Sequence, residues 1–220
     1  MRNLNKDFAI ILDAGHGGIS PRTLSYTTAP AKMFEHQTND FHDGPIFYEG
    51  LANRLVCDKI IQLCNWMHCP VHKVYHDFED TPLQERAERA NELFYKYPKA
   101  VGYSVHFNAS RTHTASGLEA FTLPGNTDSD RLAELLYENY YRFLDSIFPI
   151  RTDYTDGDHD KEARFYMLRQ TKGPFVLSEN GFFDNPYDAL QIMHPRTKWM
   201  LALCHVNAAL EFAKVENLVL

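Results

Sequence analysis

The sequence predicts an α/β fold, a three-layer α-β-α sandwich with a twisted, mostly parallel mixed sheet. Short apolar runs typical of buried strands alternate along the chain with longer segments in which apolar residues recur every three or four positions, as in amphipathic helices. Strands that alternate with helices form sheets that are mainly parallel and covered by helices on both faces. The composition, 44% hydrophobic and 23% charged residues, is that of an ordinary globular domain.

The chain length predicts a single domain. The 220 residues are close to the roughly 100–200 of a typical domain, and the sequence contains no internal repeat or linker. We expect one domain over residues 1–220, with an inserted loop at about 19–48. That segment is polar, contains three prolines and has no sustained period.

The charge and the apolar runs argue against two classes of partner. The formal net charge is −7, whereas a nucleic-acid-binding protein needs a basic surface for its phosphate contacts. The longest apolar run, Trp199–Cys204, has six residues, far fewer than the ~20 of a membrane-spanning helix. We therefore expect no nucleic-acid binding and no membrane insertion.

The N-terminus and the cysteines indicate where the chain is made. The first apolar run has only five residues and is not followed by a small-residue cleavage site, so this segment does not resemble a secretory signal. The four cysteines are sparse and are interpreted as reduced structural thiols. We expect synthesis in a cytoplasm, and we expect the chain to act as a monomer.

The first predicted elements are a strand, the inserted loop, a helix and a second strand. Phe8–Asp13 is a short apolar run that leads into the glycine-rich segment Ala14–Gly18. From Glu49 the pattern becomes helical. The residues expected on the buried face of this helix are Ala52, Leu55, Val56, Ile60, Leu63 and Cys64. Val71–His76 predicts the second strand.

A second helix and a third strand follow. Thr81 is expected to be the N-cap residue, Pro82 the first helical residue and Gln84 the partner in a capping box. The residues expected to face inward from this helix are Leu83, Ala87, Ala90, Phe94 and Tyr97. The apolar run Ala100–Phe107 predicts the third strand.

The rest of the chain adds two strands and two helices. Leu118–Leu123 predicts the fourth strand, and Asp128 to about Ile147 is a strongly periodic helix. Phe175–Ser178 predicts a short strand that ends directly before Glu179. The segment from about Pro195 to Ala213 predicts the last helix.

Four polar residues are placed where chemistry is expected. His16, His106 and Glu179 lie at or just beyond the ends of predicted strands, where sites form in α/β sheets, and Glu49 starts a helix. Each residue alone has an ordinary explanation, such as a hydrogen-bonded core histidine or a helix-capping carboxylate. Together, two imidazoles and a carboxylate match a common catalytic zinc site, and a second carboxylate can serve as its base.

The sequence as a whole resembles the zinc-dependent N-acetylmuramoyl-L-alanine amidases of the amidase-3 family. The motifs that carry the resemblance are Leu12–Gly18 (LDAGHGG), Tyr48–Asn53 (YEGLAN), Ser104–Ala109 (SVHFNA) and Val176–Asn185 (VLSENGFFDN). Supporting matches are the helix with Arg86, Ala90 and Asn91 and the strand Gly117–Phe121. The matches run in family order from residue 8 to about 213.

This resemblance implies a phosphorylase/hydrolase-like fold and a single catalytic amidase domain. It implies hydrolysis of the amide bond between N-acetylmuramic acid and L-alanine in peptidoglycan. By the same resemblance His16, Glu49 and His106 hold one Zn²⁺, and Glu179 is the catalytic base. Zinc lowers the pKa of bound water to about 7, so hydroxide is available at neutral pH.

Two further residues have alternative interpretations. Asn108 either contacts the substrate or orients a ligand, or it is a turn residue that satisfies backbone groups. Glu119 either supports a zinc histidine or belongs to an ordinary buried ion pair, and we favour the pair.

Two other functions stay open, a zinc carboxypeptidase-like amide hydrolase and a non-catalytic wall-binding domain derived from an amidase. The residues after Glu179, Asn180–Phe182, favour the amidase. A non-catalytic domain would lack a zinc ligand or Glu179, and none of these is missing. The inserted loop also resembles variants in bacteriophage lysins and in some bacterial enzymes. The first resemblance implies a lysin made in the host cytoplasm and acting in the periplasm or cell wall, and a bacterial enzyme exported by another route stays open as the alternative.

Three other groups are interpreted as structural. The cluster Cys64, His68, Cys69 and His72 lacks the two-residue spacing of a zinc knuckle. The acidic segment Asp156–Asp160 lacks the position-12 glutamate of an EF-hand and is expected to be a solvated loop. The aromatic residues in and beside the inserted loop either stack on sugar rings or anchor the loop, and we favour anchoring; they are Tyr26, Phe34, Phe41, Phe47 and Tyr48.

Overall fold

The computed structural model describes residues 6–37 and 44–213. Its strands are β1 (Ile10–Ala14), β2 (Met33–Glu35), β3 (Ile46–Tyr48), β4 (Val71–Lys73), β5 (Val101–Asn108), β6 (Leu118–Thr122), β7 (Lys161–Glu162) and β8 (Phe175–Phe182). Its helices are α1 (Glu49–Trp66), α2 (Leu83–Lys96), α3 (Asp128–Phe143), α4 (Tyr166–Gln170), α5 (Pro186–Met193) and α6 (Pro195–Phe212).

Six strands form one mixed sheet in the order β4-β1-β5-β8-β6-β7. All neighbouring strands are parallel except β6 and β8, which are antiparallel. The carboxyl ends of β1, β5 and β8 therefore meet at one edge of the sheet, where ligands bind in this class of fold.

Helices cover both faces of the sheet, and the buried residues in and beside β1 alternate between two apolar clusters. Ile10 and Leu12 of β1 pack in the larger cluster, with α1, α3 and α6, whereas Ala9 and Ile11 pack in the smaller one, with α2 and α4. The predicted three-layer α-β-α sandwich with a mostly parallel mixed sheet is confirmed. No helix in the described part of the chain has both the length and the apolar character to cross a bilayer.

The inserted segment has more structure than its lack of period predicted. A 3-10 turn at Pro30–Lys32 leads into β2, which pairs antiparallel with β3. Tyr26 anchors the segment, since its hydroxyl accepts a hydrogen bond from Gly50 N (2.9 Å) and donates to Lys32 O (2.9 Å). Buried Phe47 stacks against Phe183, with ring centroids 5.9 Å apart. Both contacts support the anchoring interpretation; Phe41 lies outside the described residues.

The predicted start of α2 is wrong in detail. The helix begins at Leu83 with Pro82 as its N-cap residue and without a side-chain cap. The Thr81 hydroxyl instead accepts a hydrogen bond from His76 N (2.9 Å), and Gln84 bonds to Glu88 further along the helix. Leu83, which was expected to face inward, is 49% exposed, whereas Ala87 and Ala90 in the next turns are buried in the apolar cluster under the sheet.

The late strand β8 is longer than its apolar run predicted. It continues through Ser178, Glu179 and Asn180 to Phe182, because β5 and β6 pair with it on both sides. Glu179 therefore lies within a strand and not after it. The structure also contains β7, α4 and α5, which the sequence pattern did not predict because they are short or follow polar segments.

Candidate metal centre

Three strands place polar side chains side by side on the sheet face that α2 covers. His106 of β5 pairs in register with Glu179 of β8, which in turn pairs with Glu119 of β6. Residues directly opposite on neighbouring strands project to the same face. Their strand neighbours Val105 and Leu118 pack in the apolar cluster on the opposite face. The strand pairing thus places Glu179 beside two residues that are 60 and 73 positions before it in the sequence.

His16 lies in the turn after β1 and has a left-handed backbone, with φ of 62°. This conformation is uncommon for a residue with a side chain. Two buried arginines hold it, since Arg54 Nη2 and Arg86 Nη2 donate to His16 O at 2.9 and 3.0 Å. Arg86 also pairs with buried Asp13 (2.7 Å), which fixes α2 to the end of β1. Helices α1 and α2 therefore both position the His16 turn.

Glu49 is the first residue of α1 and is only 1% exposed. Its carboxylate reaches both histidines: Oε1 lies 3.2 Å from His16 Nε2 and 3.1 Å from His106 Nδ1. The imidazole rings of His16 and His106 are nearly perpendicular, with centroids 5.0 Å apart. One ligand atom of each of the three residues lies within 4.8 Å of the other two. The structure therefore brings His16, Glu49 and His106 together.

The chemistry of these donors fits a zinc ion. Ligands arranged tetrahedrally at about 2.0–2.1 Å from zinc are about 3.3 Å apart, close to the two nitrogen–oxygen distances observed here. His16 Nε2 is buried with the Glu49 carboxylate as its polar contact, and Glu49 Oε2 is buried with only the longer ion pair to Lys32 Nζ (3.5 Å). Burial lowers the pKa of His16, with Glu49 opposing, so the neutral imidazole that binds metals is favoured. Although burial opposes ionisation, the two histidines lower the pKa of Glu49.

Glu179 faces the same region and has the environment of a base. The residue keeps some exposed surface, but its Oε2 is buried and has no hydrogen-bond partner. Loss of solvent raises the pKa of Glu179 well above its usual range, and the negative charges of Glu49 and Glu119 raise it further. Lys32 acts in the opposite direction. A carboxylate with a raised pKa is better matched to proton transfer near neutral pH.

Asn108 and Glu119 hold each other. Asn108 Nδ2 donates to Glu119 Oε1 (2.5 Å), and Asn108 Oδ1 accepts from Ala109 N (2.8 Å). The other oxygen of Glu119 accepts from Arg151 (2.9 Å) and Lys161 (2.5 Å), which lower its pKa in spite of burial. Glu119, which is itself buried, thus belongs to an ion-pair network with two partly exposed cations. These contacts favour the turn interpretation of Asn108, whose contact with substrate stays a prediction.

Two further side chains lie at the site that the sequence motifs did not identify. Lys32 Nζ lies 3.5 Å from Glu49 Oε2, and Arg54 binds the His16 carbonyl. No sequence signal marked Lys32, because the segment around it has no period. Arg54 carried a weak signal, since it lies one helical turn after Gly50 and directly after the matched motif at Tyr48–Asn53.

The other predicted clusters have different outcomes. Within residues 6–37 and 44–213, only two groups of three or more His, Cys, Asp or Glu side chains bring their ligand atoms within 4.8 Å of one another. The group of Cys64, His68, Cys69 and His72 is not among them. The second convergent group is Glu134, Asp158 and Asp160. Asp160 is 2% exposed, so the expectation that Asp156–Asp160 forms a merely solvated loop is wrong at this residue.

Comparison with known proteins identifies a family. The sequence profile of the family Amidase_3, described as N-acetylmuramoyl-L-alanine amidase, matches residues 10–210. A curated relative, the N-acetylmuramoyl-L-alanine amidase CwlM of Bacillus licheniformis, is 29% identical over 105 residues. That match covers 47% of this chain and 37% of the relative, so it spans little more than a third of the relative's length.

Solved amidase structures have the same fold. An N-acetylmuramoyl-L-alanine amidase from Clostridium difficile 630 superposes with a TM-score of 0.74 at 23% identity, covering 97% of this chain and 100% of that one. The catalytic domain of CwlV, an N-acetylmuramoyl-L-alanine amidase from Bacillus (Paenibacillus) polymyxa var. colistinus, gives 0.70 at 20% identity, covering 94% and 99%.

Proposed function

The chain belongs to the N-acetylmuramoyl-L-alanine amidase family, and we propose that it is a zinc-dependent peptidoglycan amidase. The bond it cuts is the amide between the lactyl group of N-acetylmuramic acid and L-alanine of the stem peptide. In this proposal His16, Glu49 and His106 hold one zinc ion, and Glu179 is the catalytic base.

The observation that carries the proposal is the convergence of four distant side chains. Two imidazoles and one carboxylate come within 4.8 Å of one another, and Glu179 lies beside His106 in the strand register. Catalytic zinc sites commonly use three such protein ligands and leave a fourth position open. Two of the buried side-chain atoms that lack a hydrogen bond, His16 Nε2 and Glu49 Oε2, belong to this cluster.

The chain's own residues supply the acid–base chemistry. A zinc ion bound by the triad supplies Lewis-acid chemistry, lowering the pKa of water and polarising the scissile carbonyl. Glu179 accepts a proton from the attacking water and returns it to the amine of L-alanine as the carbon–nitrogen bond breaks. The raised pKa of Glu179 suits both the uptake and the return of the proton.

Digestion of purified sacculi by the zinc-loaded protein tests this function. Mass analysis is expected to find intact stem peptides that begin with a free L-alanine amine. Activity is expected to disappear after chelation and to return with Zn²⁺. Removal of a C-terminal residue from the stem would instead support the carboxypeptidase-like function, and binding without any cleavage would support the wall-binding domain.

The lysin role is a further part of this proposal. Its support is the resemblance of the inserted segment 19–48 to variants in bacteriophage lysins, and it places synthesis in the host cytoplasm and action in the periplasm or wall. Expression in a Gram-negative host, with and without a separately induced membrane pore, tests it. Lysis is expected only when the pore and the unmodified protein are both present. Lysis without the pore, or equal lysis by Glu179→Gln, would contradict this role.

A further inference from the structure

A second group of acidic side chains lies apart from the proposed zinc site, beside the edge strand β7. Glu134 of α3 faces Asp158 and Asp160, which belong to the loop before β7. One carboxylate oxygen of each residue lies within 4.8 Å of the other two. A hydrogen bond from Asp153 N to His159 O (3.1 Å) closes the neck of this loop. The acidic cluster thus connects helix α3 to the loop that precedes β7.

The cluster contains buried carboxylate oxygens without partners. Asp160 is only 2% exposed, and its Oδ1 has no hydrogen-bond partner, nor has the buried Oδ1 of Asp158. The other oxygen of Asp160 accepts from the Thr122 hydroxyl (2.7 Å), which also lies 2.8 Å from Asp130 Oδ1. The carboxyl groups of Asp158 and Asp160 also lie within hydrogen-bond reach of each other, and neither supplies a donor when ionised, so these oxygens need a shared proton or a bound cation.

Positive charge at the cluster is scarce. Within the described residues, no lysine or arginine is within ion-pair distance of Glu134, Asp158 or Asp160; His159 Nδ1 lies 2.7 Å from Glu134 Oε2. Burial above all, and then the charges of the neighbouring acids, raise the pKa of Asp160 to about 8, so without a cation this carboxyl holds a proton at neutral pH that a bound cation would displace. Buried carboxylates without a cation are costly, and a bound cation offsets that cost.

We propose that Glu134, Asp158 and Asp160 form a calcium-binding site that fixes the loop before β7. Two oxygens bound at about 2.4 Å to one Ca²⁺ can be at most about 4.8 Å apart, so the three carboxylates fit around a single ion. An all-oxygen set in a loop is typical of calcium, whereas zinc prefers nitrogen and sulfur ligands. Bound calcium would fix Asp160, the residue directly before Lys161. The Lys161 ammonium donates to Glu119, which pairs with Glu179 in the strand register, so the calcium site is linked to the proposed base.

Binding can be measured without reference to catalysis. The rings of Tyr137, Tyr141 and Tyr154 have centroids 5.6, 6.0 and 5.0 Å from the His159 ring, so tyrosines surround the loop. Terbium replaces calcium at oxygen sites, and excitation of these tyrosines is expected to produce terbium luminescence that CaCl2 quenches by competition. For the zinc-loaded protein, we expect a calcium Kd of about 10⁻⁵–10⁻³ M.

Thermal unfolding with matched variants tests the proposal. Adding 10 mM CaCl2 to the zinc-loaded protein is expected to raise Tm by about 5–10 °C if Kd is near 10⁻⁴ M. Asp160→Asn, which keeps the shape and the Thr122 contact, is expected to abolish both this shift and the terbium signal. Asp145→Asn removes the same charge at an exposed position beyond α3 and is expected to keep both.

Three outcomes would overturn the calcium site. Equal Tm shifts in the wild-type protein and Asp160→Asn would indicate a general ionic effect. An equal response to MgCl2 and CaCl2 would indicate loose counterions and not a calcium site. A Tm that ignores calcium but rises as the pH is lowered to 6 would indicate a proton shared between the two aspartates. Asp158→Asn supplies an independent test if Asp160→Asn does not fold.

Discussion

At the residue scale, the candidate site depends on exact backbone placement around His16. The left-handed backbone of His16 costs of the order of 1 kcal/mol or more, and the donors of Arg54 and Arg86 hold its carbonyl in place. Such local strain is common at functional sites. Here it directs the His16 imidazole toward Glu49, 3.2 Å away.

Replacing the proposed base separates metal binding from catalysis. Glu179→Gln removes the proton acceptor and keeps the shape of the side chain, so we expect kcat to fall by about 10²–10⁴-fold. Zinc content is expected to remain one ion per chain, because the proposed ligands are untouched. The measurements are the rate of peptide release from sacculi and metal analysis.

A matched control is Glu92→Gln, which changes an exposed glutamate of α2 in the same way and is expected to keep full activity. Wild-type kcat in Glu179→Gln would remove Glu179 from the mechanism. Loss of zinc from that variant would instead make Glu179 a ligand.

Gly15 allows the His106 ring to approach the turn after β1. A Cβ atom at Gly15 would lie 2.1 Å from His106 Cε1, so Gly15→Ala must displace the ring. We expect at least about a 10-fold loss of zinc affinity, the scale of other changes that misplace a metal ligand. Competition with a chelator of known affinity measures it, and Tm shows whether the variant folds. An unchanged affinity in folded Gly15→Ala would show that His106 does not bind the ion.

At the element scale, the two helices α1 and α2 fix the turn that carries His16. Arg86 makes five hydrogen bonds from α2: to Asp13, Ala14 O, His16 O, Asp80 and Thr81 O. A lysine has only one ammonium group and cannot reproduce this planar set of donors. The charge of Asp13, which is 1% exposed, would then be poorly compensated.

Arg86→Lys is therefore expected to lower the free energy of unfolding by about 2–4 kcal/mol and zinc affinity by about 10-fold. Urea unfolding and chelator competition measure the two effects. Arg89→Lys is the control on the same helix, because Arg89 is exposed and its pair with Glu85 contributes less than about 1 kcal/mol. Equal small effects for both variants would contradict the positioning role of Arg86.

The sequence predicted the elements that have a regular apolar period, including α1, α3, α6 and the strands β1 and β5. It did not predict β2 and β3, whose stability comes from pairing with each other and from anchors such as Tyr26. It ended β8 too early, because Ser178, Glu179 and Asn180 are polar. Asn180 is nevertheless buried, and its amide donates to His106 O (3.1 Å) and Ser178 Oγ (3.0 Å). Hydrogen bonds to neighbouring strands satisfy these polar residues inside the sheet, and the local sequence pattern of one strand does not show such tertiary contacts.

At the scale of the whole molecule, the sheet order determines which residues meet. The motifs identified the residue types of the candidate site, but spacing in the sequence does not determine distance in space. Parallel pairing of β1, β5 and β8 places their ends at one edge, and α1 brings Glu49 to the same place. The group of Glu134, Asp158 and Asp160 was not predicted for the same reason, because Glu134 belongs to a distant helix.

Stability is expected to fall in acid because of His205. This histidine is fully buried in α6; its Nδ1–H donates to Leu201 O (2.7 Å), and its Nε2 accepts from the Ser178 hydroxyl (2.9 Å). Burial lowers its pKa to about 4, with the Leu201 contact opposing. The unfolded chain, with an ordinary pKa near 6.5, therefore binds the proton first, and folding stability decreases as the pH falls from 6.5 toward 4.

The contribution of His205 amounts to about 2 kcal/mol between pH 7 and pH 5. Urea unfolding at these two pH values measures the total loss. His205→Gln, which has no titrating group, is expected to be less stable at pH 7 but to lose less stability on acidification. The same pH dependence in both proteins would assign the acid sensitivity to other groups.

The proposed mechanism depends on one zinc ion held between His16, Glu49 and His106. Anomalous diffraction at the zinc edge, from crystals of the protein loaded with one equivalent of Zn²⁺, locates that ion. We predict a single strong peak about 2.0–2.2 Å from a nitrogen of each histidine and from an oxygen of Glu49. A peak at the cysteines or at Glu134, Asp158 and Asp160, with none at this triad, would contradict the account.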